Sequence, residues 1–243
     1  MPIPTEEELV AAACHIGHRV AKWNSKMKPF IYGEEKGIHI FDLTKTKEQL
    51  AKACEQLSAL HTAGKTILFV STKLHSTALL EELGRATGQP IVTKKWIPGL
   101  LTNYRTISRR IKYYLDLQDA FRTNEVSKYT KQEQTQLRKK LAKLDHALSG
   151  VAGMTGLPHA VFVVDAIRDR IAVQEAHGLG ISVFGICDSP ADPDFFTVPI
   201  PANDDSVNSV RLILETVKNA LLSAPKAQTK EEKSEATAAP IAA

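Results

Sequence analysis

The chain is predicted to be an α/β protein: a parallel sheet sandwiched by helices, Rossmann-like or flavodoxin-like, with an inserted antiparallel coiled-coil hairpin. Apolar runs alternate with helical patterns, which is typical of βαβ units. The runs are continuously apolar, as expected of strands that helices cover on both faces. The hairpin is predicted by a third observation, which is that no strand pattern occurs between residues 103 and 151.

The N-terminal region is predicted to contain a helix and a β-hairpin. Thr5 followed by Glu8 has the spacing of a capping box, and Gly17 is the predicted end of that helix. Two short apolar runs at 29–32 and 38–41 are separated by a turn, which predicts an antiparallel pair of strands.

The βαβ part begins with a helix at 44–63 and a strand at 66–71, and it resumes after the predicted hairpin with a strand at 160–165. These strands are expected to lie side by side in one parallel sheet. The other predicted elements are a helix at 74–86, a strand at 91–92, a helix at 170–177, a strand at 181–187 and a last helix capped near 203–205.

The segment 103–151 shows apolar residues spaced by four and three, which is the repeat of a coiled coil. Two such seams separated by a polar stretch predict an antiparallel helical hairpin. An alternative in which both helices lie flat on the sheet stays open. The first seam is Ile107, Ile111, Tyr114, Gln118 and Phe121, and the second is Leu137, Leu141, Leu144, Leu148 and Val151.

The chain is therefore divided into three parts. Residues 1–102 and 152–222 are expected to form the α/β domain, and residues 103–151 the hairpin insertion. Residues 223–243 lack apolar periodicity and are rich in Ala, Lys, Glu, Thr and Ser. Such a composition buries too little apolar surface to offset the entropy of ordering, so a disordered tail is predicted.

The charge distribution is uneven along the chain. The whole sequence has 31 basic and 27 acidic residues, a net charge of +4, yet residues 83–115 contain seven cations and no acid. Residues 105–150 contain eleven basic and five acidic residues. Clustered cations release counterions when they contact phosphates, so an extended polyanion, RNA before others, is the expected partner. A solvated basic face is the alternative.

The expected location is the cytoplasm. The three cysteines, Cys14, Cys54 and Cys187, lack the spacing of a disulfide framework, which favours buried thiols in a reducing compartment. The first residues do not have the pattern of a signal or transit peptide. No apolar run reaches the roughly 18 residues that a membrane span requires, so no membrane partner is expected.

Nucleotide-binding and catalytic motifs with a defined spacing do not occur in the sequence. Acidic residues follow the late strands, and Asp165, Asp188 and Asp192 would be the ligands of a Mg²⁺-dependent phosphohydrolase, the alternative function. Turn and capping roles are favoured for the segments around Ser189 and Asn203. No catalytic residue, cofactor or small-molecule substrate is predicted.

A cluster of Cys14, His15 and His18 offers three potential zinc ligands. A fourth ligand would have to come from elsewhere in the chain. Polar loop or RNA contacts are favoured for the two histidines, and no metal site is predicted.

Two basic segments, 18–28 and 94–105, share lysines, a tryptophan and an asparagine and are the predicted RNA contacts. Cations would bind phosphates, and aromatic rings would stack on bases with about 1–3 kcal/mol each. The candidate residues are Arg19, Lys22, Trp23, Asn24, Lys26, Lys28, Lys73, Lys94, Lys95, Trp96, Asn103, Tyr104, Arg105, Arg109, Arg110 and Lys112.

Eight motifs occur in order along the chain and together form a recognisable signature. They are Gly17-His-Arg, Trp23 to Gly33, Gly37 to Thr46, Ile67 to Lys73, Trp96 to Ile107, Pro158 to Asp165, Gly180 to Asp188 and Pro199 to Ser206. This series resembles a known family, the bacterial-type ribosomal protein two of the small subunit, over about residues 5–222. The sequence departs from the usual family pattern at Pro98, and at Leu74, where a second lysine is typical.

The resemblance implies a non-catalytic constituent of the small ribosomal subunit that supports translation. It also implies binding to small-subunit rRNA where the head meets the body. Neighbouring small-subunit proteins, among them the large mRNA-binding protein of the subunit, are the implied protein partners. A free-standing RNA-binding regulator is a further alternative.

Overall fold

A computed structural model describes residues 3–223 and begins with a small antiparallel sheet. Its strands are β1 (Ile16–Arg19), β2 (Ile31–Glu35) and β3 (Ile38–Phe41), with β3 in the middle. The predicted β-hairpin is β2 and β3, and it is confirmed by their antiparallel pairing. Between β1 and β2 the chain forms two short 3₁₀ turns, Val20–Lys22 and Ser25–Phe30.

The first helix, α1 (Glu6–Ala11), begins where the capping box predicts. The Thr5 backbone N–H donates to Glu8 Oε2 at 2.8 Å, and the Glu8 N–H donates to Thr5 Oγ1 at 3.3 Å. The prediction that Gly17 ends this helix is wrong, because Gly17 lies within β1. A four-residue strand with intermediate burial has too weak an alternation to be detected from sequence.

The larger sheet has five parallel strands in the order β5-β4-β6-β7-β8. Counted within this sheet the order is 2-1-3-4-5, a doubly wound arrangement that reverses direction between β4 and β6. The predicted parallel sheet flanked by helices is therefore confirmed. The strands are β4 (Ile67–Val70), β5 (Ile91–Val92), β6 (Ala160–Val163), β7 (Ser182–Cys187) and β8 (Val198–Pro201).

Strand β8 was not predicted, because its sequence Val-Pro-Ile-Pro is typical of turns. A proline cannot donate to a strand ladder, so it is tolerated mainly at sheet edges. Strand β8 is such an edge strand, with β7 as its single neighbour.

Six further helices connect and cover the strands. The predicted bounds agree with the observed ones to within a few residues, and Ser223 belongs to the last helix instead of the predicted tail. The rest of that tail, 224–243, lies outside the described residues. The helices are α2 (Leu43–Thr62), α3 (Thr77–Thr87), α4 (Tyr104–Arg122), α5 (Lys131–Leu148), α6 (Arg170–Gly178) and α7 (Val207–Ser223).

Two apolar clusters lie on opposite faces of the large sheet because successive strand residues point to opposite sides. Ile67 and Phe69 of β4 belong to the cluster that includes residues of α1, α2, α3 and α7. Leu68 and Val70 belong to the other, which includes residues of α6 and the sheet-proximal ends of α4 and α5.

Helices α4 and α5 pack against each other, and the Tyr114 hydroxyl donates to Asp145 Oδ1 at 2.7 Å. The buried residues of α4 follow the predicted first seam with one exception. Leu117 is buried and Gln118 is exposed. On a helix with 3.6 residues per turn, positions 117 and 118 both lie close to the seam, and the apolar side chain, Leu117, is the one that is buried.

None of the helices between residues 3 and 223 combines the length and the apolar character that crossing a bilayer would require.

We expect Gly150→Ala to destabilise the protein by about 1–3 kcal/mol, because overpacking forces side chains and backbone to shift. A Cβ atom at Gly150 would clash with the Ile91 carbonyl oxygen, where the 3₁₀ turn after α5 (Ser149–Val151) approaches β5. Urea denaturation measures the change. The control is Gly153→Ala, since a Cβ there meets nothing within 4 Å; equal stability of both variants would contradict the close approach.

Candidate nucleic-acid interface

Most of the predicted RNA-binding cations are exposed and lack an acidic partner in the part of the chain that the structure describes. Nine of them have no carboxylate within ion-pairing distance among residues 3–223. Their charge is therefore available to an external polyanion. They are Arg19, Lys22, Lys28, Lys94, Lys95, Arg105, Arg109, Arg110 and Lys112.

The loop from Arg19 to Lys28 is fixed to the body of the protein at two points. The Asn24 backbone N–H donates to the Ser189 carbonyl at 2.8 Å, and the Met27 side chain is fully buried. Lys26 differs from the other cations of this loop, because its Nζ lies 2.8 Å from Asp192 Oδ2. The loop thus presents its remaining cations from a defined backbone.

Trp23 is 37 % exposed and lies in this loop. Its ring is 5.0 Å from the His39 ring, centroid to centroid, with the planes tilted by 41°. One part of the indole is therefore packed and the other part is accessible to a base.

The second basic segment is organised by the carboxylate of Glu175, which comes from α6. Its Oε1 accepts from the Gly99 N–H at 2.7 Å and from Trp96 Nε1 at 3.1 Å. Its Oε2 accepts from the backbone N–H groups of Leu101 at 3.0 Å and Thr102 at 3.2 Å, and from the Thr102 hydroxyl. Successive N–H groups that point at one anion form a nest, here occupied by a side chain of the same protein.

The pKa of Glu175 reflects this arrangement. Burial alone would raise it, but the N–H donors of Gly99 and Trp96, with those of Thr102 and Leu101, hold the pKa below its ordinary value. The ionised carboxylate thus ties the loop 96–102 to α6, and this loop separates the cations at 94–95 from those of α4.

Three cations of α4 share one face. Arg105, Arg109 and Lys112 are spaced by four and three residues, and they lie opposite the buried seam that begins with Ile107. Arg110 lies to one side of this stripe. A straight row of cations on a helix can follow consecutive phosphates of a nucleic-acid backbone.

Asn103 and Tyr104 lie where α4 begins. Asn103 is exposed, whereas Tyr104 is half-buried and its hydroxyl donates to the Met154 carbonyl at 2.9 Å. Asn103 is thus the freer of the two for an external contact.

Lys73 and Trp96 do not fit the predicted role in RNA contact. Trp96 is 6 % exposed, so its ring is packed in the apolar core and cannot stack on a base in this conformation. Lys73 is 7 % exposed and its ammonium group is fully engaged by carboxylates. Sequence could not reveal this, since every partner of either side chain is distant along the chain.

Lys73 follows β4, and the carboxylates around it lie after the carboxyl ends of β6 and β8. Lys73 Nζ lies 2.9 Å from Asp165 Oδ2, 2.8 Å from Asp204 Oδ1 and 2.7 Å from Asp205 Oδ1. Asn203 Oδ1 accepts from the N–H groups of Asp205 and Ser206, which is the predicted turn chemistry. The predicted cap near 203–205 lies too early, because α7 begins at Val207 and the Ser209 N–H donates to Ser206 Oγ. One ammonium group thus joins the loops of three strands.

Burial and mutual repulsion shift the pKa values in this cluster. Burial raises the pKa of Asp204 to about 7, and the nearby Asp165 and Asp188 add to the rise. Burial would lower the pKa of Lys73, but the contacts with Asp204, Asp205 and Asp165 outweigh it and raise that pKa.

His18 extends the cluster to the small sheet. Its Nδ1 lies 3.0 Å from Asp188 Oδ1, and its Nε2 lies 3.5 Å from Asp205 Oδ2. The hydrogen bond to Asp188 raises the pKa of His18 to about 9. Strand β1, which immediately precedes the basic loop, is thereby held against the carboxyl edge of the large sheet.

The proposed phosphohydrolase ligands do not form an open metal site, because each of them is paired with a different cation. Asp165 contacts Lys73, Asp188 contacts His18, and Asp192 contacts Lys26. The cluster of Cys14, His15 and His18 is not assembled either. Cys14 is fully buried in the apolar core, whereas His18 faces the carboxylates.

Sequence reasoning missed Glu175 as an organising residue. A signal was present, because Glu175 lies on the side of α6 that buries Ala172 and Ala176. An acid on the apolar side of a helix indicates a buried partner.

Comparison with known proteins identifies the class of this chain. Residues 9–224 match the family described as ribosomal protein S2. A relative named small ribosomal subunit protein uS2 in Coprothermobacter proteolyticus is 41 % identical over 222 residues, 91 % of this chain and 83 % of the relative. The protein of the same name in Rhodospirillum rubrum is 37 % identical over 230 residues, 94 % of this chain and 88 % of the relative.

The chain therefore belongs to the ribosomal protein S2 family. The predicted membership is confirmed, and with it the prediction of a ribosomal protein and not an enzyme.

We expect Glu175→Gln to lower the free energy of unfolding by about 2 kcal/mol or more, since hydrogen bonds to a charged group contribute about 1.5–3 kcal/mol. A lowered folded-state pKa means that this contribution is present above the unfolded-state pKa and is lost as pH falls through the folded-state pKa. The difference between wild type and variant should shrink accordingly in denaturation curves recorded at decreasing pH.

The matched control for this change is Glu215→Gln, an exposed glutamate on α7 without an ion pair in the described residues. It should change stability by less than about 0.5 kcal/mol. A loss at Glu175 that is independent of pH would contradict the role of the ionised carboxylate.

We expect Lys73→Met to cost about 3–5 kcal/mol, because the variant leaves buried carboxylates without their cation. Thermal and urea unfolding measure the loss. Lys218→Met is the control, since Lys218 pairs at 2.6 Å with Glu82, which is 62 % exposed, and such pairs contribute about 0–1 kcal/mol. Similar losses in the two variants would show that Lys73 is not the central cation.

Proposed function

We propose that the protein is a structural constituent of the small ribosomal subunit that binds small-subunit rRNA and supports translation. Two observations support this. The chain belongs to the ribosomal protein S2 family, and relatives over nine tenths of its length are named small ribosomal subunit proteins. The observation that supports the RNA contact is the set of nine exposed cations that have no acidic partner among the described residues.

The rRNA-contact surface of this proposal is made of the basic loop and the α4 stripe. The loop contributes Arg19, Lys22 and Lys28 for phosphates and Trp23 for stacking, with Asn24 and Lys26 at its margin. Lys73 and Trp96 are assigned a positioning role because both are buried. The second part of the surface consists of Lys94, Lys95, Asn103, Tyr104, Arg105, Arg109, Arg110 and Lys112.

We also propose that residues 103–151 form a coiled-coil hairpin that projects from the α/β domain of residues 1–102 and 152–222. The contact of Tyr114 with Asp145 supports an antiparallel packing of α4 and α5. Ile107 and Leu148 belong to an apolar cluster of the sheet, whereas Leu117 and Val126, further along, are buried outside it. This difference favours a projecting arm over helices that lie flat on the sheet.

The proposed position is the junction of the head and body of the small subunit, as the family resemblance implies. The far end of the hairpin, residues 123–131, would contact a neighbouring small-subunit protein. Tyr129 there is 46 % exposed, which suits a protein contact. The large mRNA-binding protein of the subunit is the other proposed neighbour, on grounds of family resemblance alone.

Replacing Arg105, Arg109 and Arg110 by alanine tests the proposed surface. We expect weaker binding to small-subunit rRNA and reduced incorporation into particles. The magnitude of the slope of log K against log salt should fall by about 2–3, since each of the three lost phosphate contacts removes about 0.7–0.9. Filter binding at several salt concentrations and sucrose-gradient sedimentation measure these effects.

The control removes the same charge elsewhere, by replacing Lys47, Lys52 and Lys65, which are exposed and unpaired in the described residues. If both triple variants lose the same affinity, net charge and not this surface determines binding. If the first variant sediments and binds as the wild type does, the proposed surface is wrong. A native protein found mainly outside ribosomal fractions would favour a free-standing regulator.

A further inference from the structure

A histidine without a hydrogen-bond partner lies buried beneath the basic loop, the segment from Arg19 to Lys28. His39 of β3 is 6 % exposed, and neither of its ring nitrogens has a partner among residues 3–223. Its cross-strand neighbour Glu34 is exposed and does not bond the ring. Buried polar atoms in native proteins are nearly always hydrogen-bonded, so an unpaired ring beneath a surface loop indicates a ligand contact.

The indole of Trp23 covers this histidine. The two ring centroids are 5.0 Å apart and the planes are tilted by 41°, so the rings are in contact without parallel stacking. Trp23 itself is partly exposed. One side of the indole therefore shields His39 from solvent, and the other side faces outward.

The backbone on both sides of Trp23 is held in place, so the side chain is the part that can move. The Val20 N–H donates to the Gly37 carbonyl at 3.0 Å, and the Asn24 N–H donates to the Ser189 carbonyl at 2.8 Å. Exposed side chains change rotamer within picoseconds to nanoseconds. The indole can therefore swing outward without rearrangement of the loop.

Unpaired cations lie on both sides of this ring pair. Arg19 is opposite Ile38, the residue before His39, and Lys22 directly precedes Trp23. Both cations are exposed, and neither has an ion pair in the described part of the chain. An aromatic ring between cations is the combination that binds single-stranded nucleic acid, because cations hold the phosphates and the ring stacks on a base.

The imidazole of His39 adds hydrogen bonding to this stacking surface. A neutral imidazole has one N–H donor and one acceptor nitrogen. Unpaired RNA bases present edges that carry both donors and acceptors, and proteins bind them through these edges. A phosphate group would use the donor nitrogen only and would not use the indole. The pair of rings therefore fits an unpaired base better than a phosphate.

We propose that Trp23 and His39 together bind one unpaired nucleobase of the RNA. The indole turns away from His39 and stacks on the base, and the uncovered imidazole bonds the edge of that base. Arg19 and Lys22 hold the flanking phosphates. This inference rests on the proposed rRNA binding, and it assigns to a buried histidine the recognition of a base.

Tryptophan fluorescence of the full-length protein tests the movement of the indole. The probes are a single-stranded RNA oligomer of mixed sequence, about 12 nucleotides long, and an abasic oligomer of the same length and charge. We expect the RNA to change the emission of the wild type and the abasic oligomer to bind without that change. The chain has two tryptophans, so Trp23→Phe leaves Trp96 alone and should show no response to either oligomer.

His39→Phe tests the hydrogen bond, because it keeps an aromatic ring beneath Trp23 and removes both nitrogens. We expect about fivefold weaker binding of the RNA oligomer, as for one lost hydrogen bond. Binding of the abasic oligomer and the salt dependence should not change, since the phosphate contacts remain. His39→Gln retains a donor and an acceptor and should recover part of the affinity. The matched control is His177→Phe of α6, a histidine whose ring lies 5.1 Å from that of Phe195, which should bind as the wild type does.

Circular dichroism checks that each variant is folded, and the fluorescence comparison does not depend on replacing His39. If small-subunit rRNA binds but the RNA oligomer leaves the emission of Trp23 unchanged, the base site is wrong and the rRNA surface stands. An equal loss of affinity for both oligomers in His39→Phe would show a purely structural role and overturn the inference. If neither rRNA nor the oligomer binds the wild type, the proposed function fails together with it.

Discussion

The buried ammonium group of Lys73 is the contact on which the arrangement of the strand-end loops depends. It meets carboxylates that follow two other strands of the sheet, with Asp165 at 2.9 Å and Asp204 at 2.8 Å. These acids lie beside the point where the sheet changes direction, which in this class of fold is the place for a ligand. Here Lys73 occupies part of that position. Its ammonium group attracts each of the buried carboxylates and so offsets the repulsion among them.

Internal use of acids explains why a nearly neutral chain can have a strongly basic surface. The aspartates near Lys73 face inward, and the carboxylate of Glu175 accepts hydrogen bonds from N–H groups of the loop 96–102. The cations of the basic loop and of α4 are left without partners among the described residues. Segregation of charge, and not its total, therefore produces the field that a polyanion would meet.

Both basic segments are presented from defined backbones. Met27 and the bond from Asn24 to Ser189 hold the first, and Glu175 holds the second. A binding surface that is ordered in advance loses less conformational entropy when its partner arrives. In the proposed function, buried polar contacts such as those of Lys73 and Trp96 would contribute to recognition by positioning the surface residues, without touching the partner.

The sequence by itself determined what depends on periodicity and local chemistry: the capping box at Thr5, the continuous apolar strands, most of the buried side of α4, and the family. Only the tertiary structure decided which polar side chains are buried and whom they contact. Trp96 and Glu175 are 79 residues apart, and His18 meets Asp188 across the two sheets. Strands β1 and β8 were missed for the same reason, since a short or proline-containing strand is defined by its neighbour in space, not by its own residues.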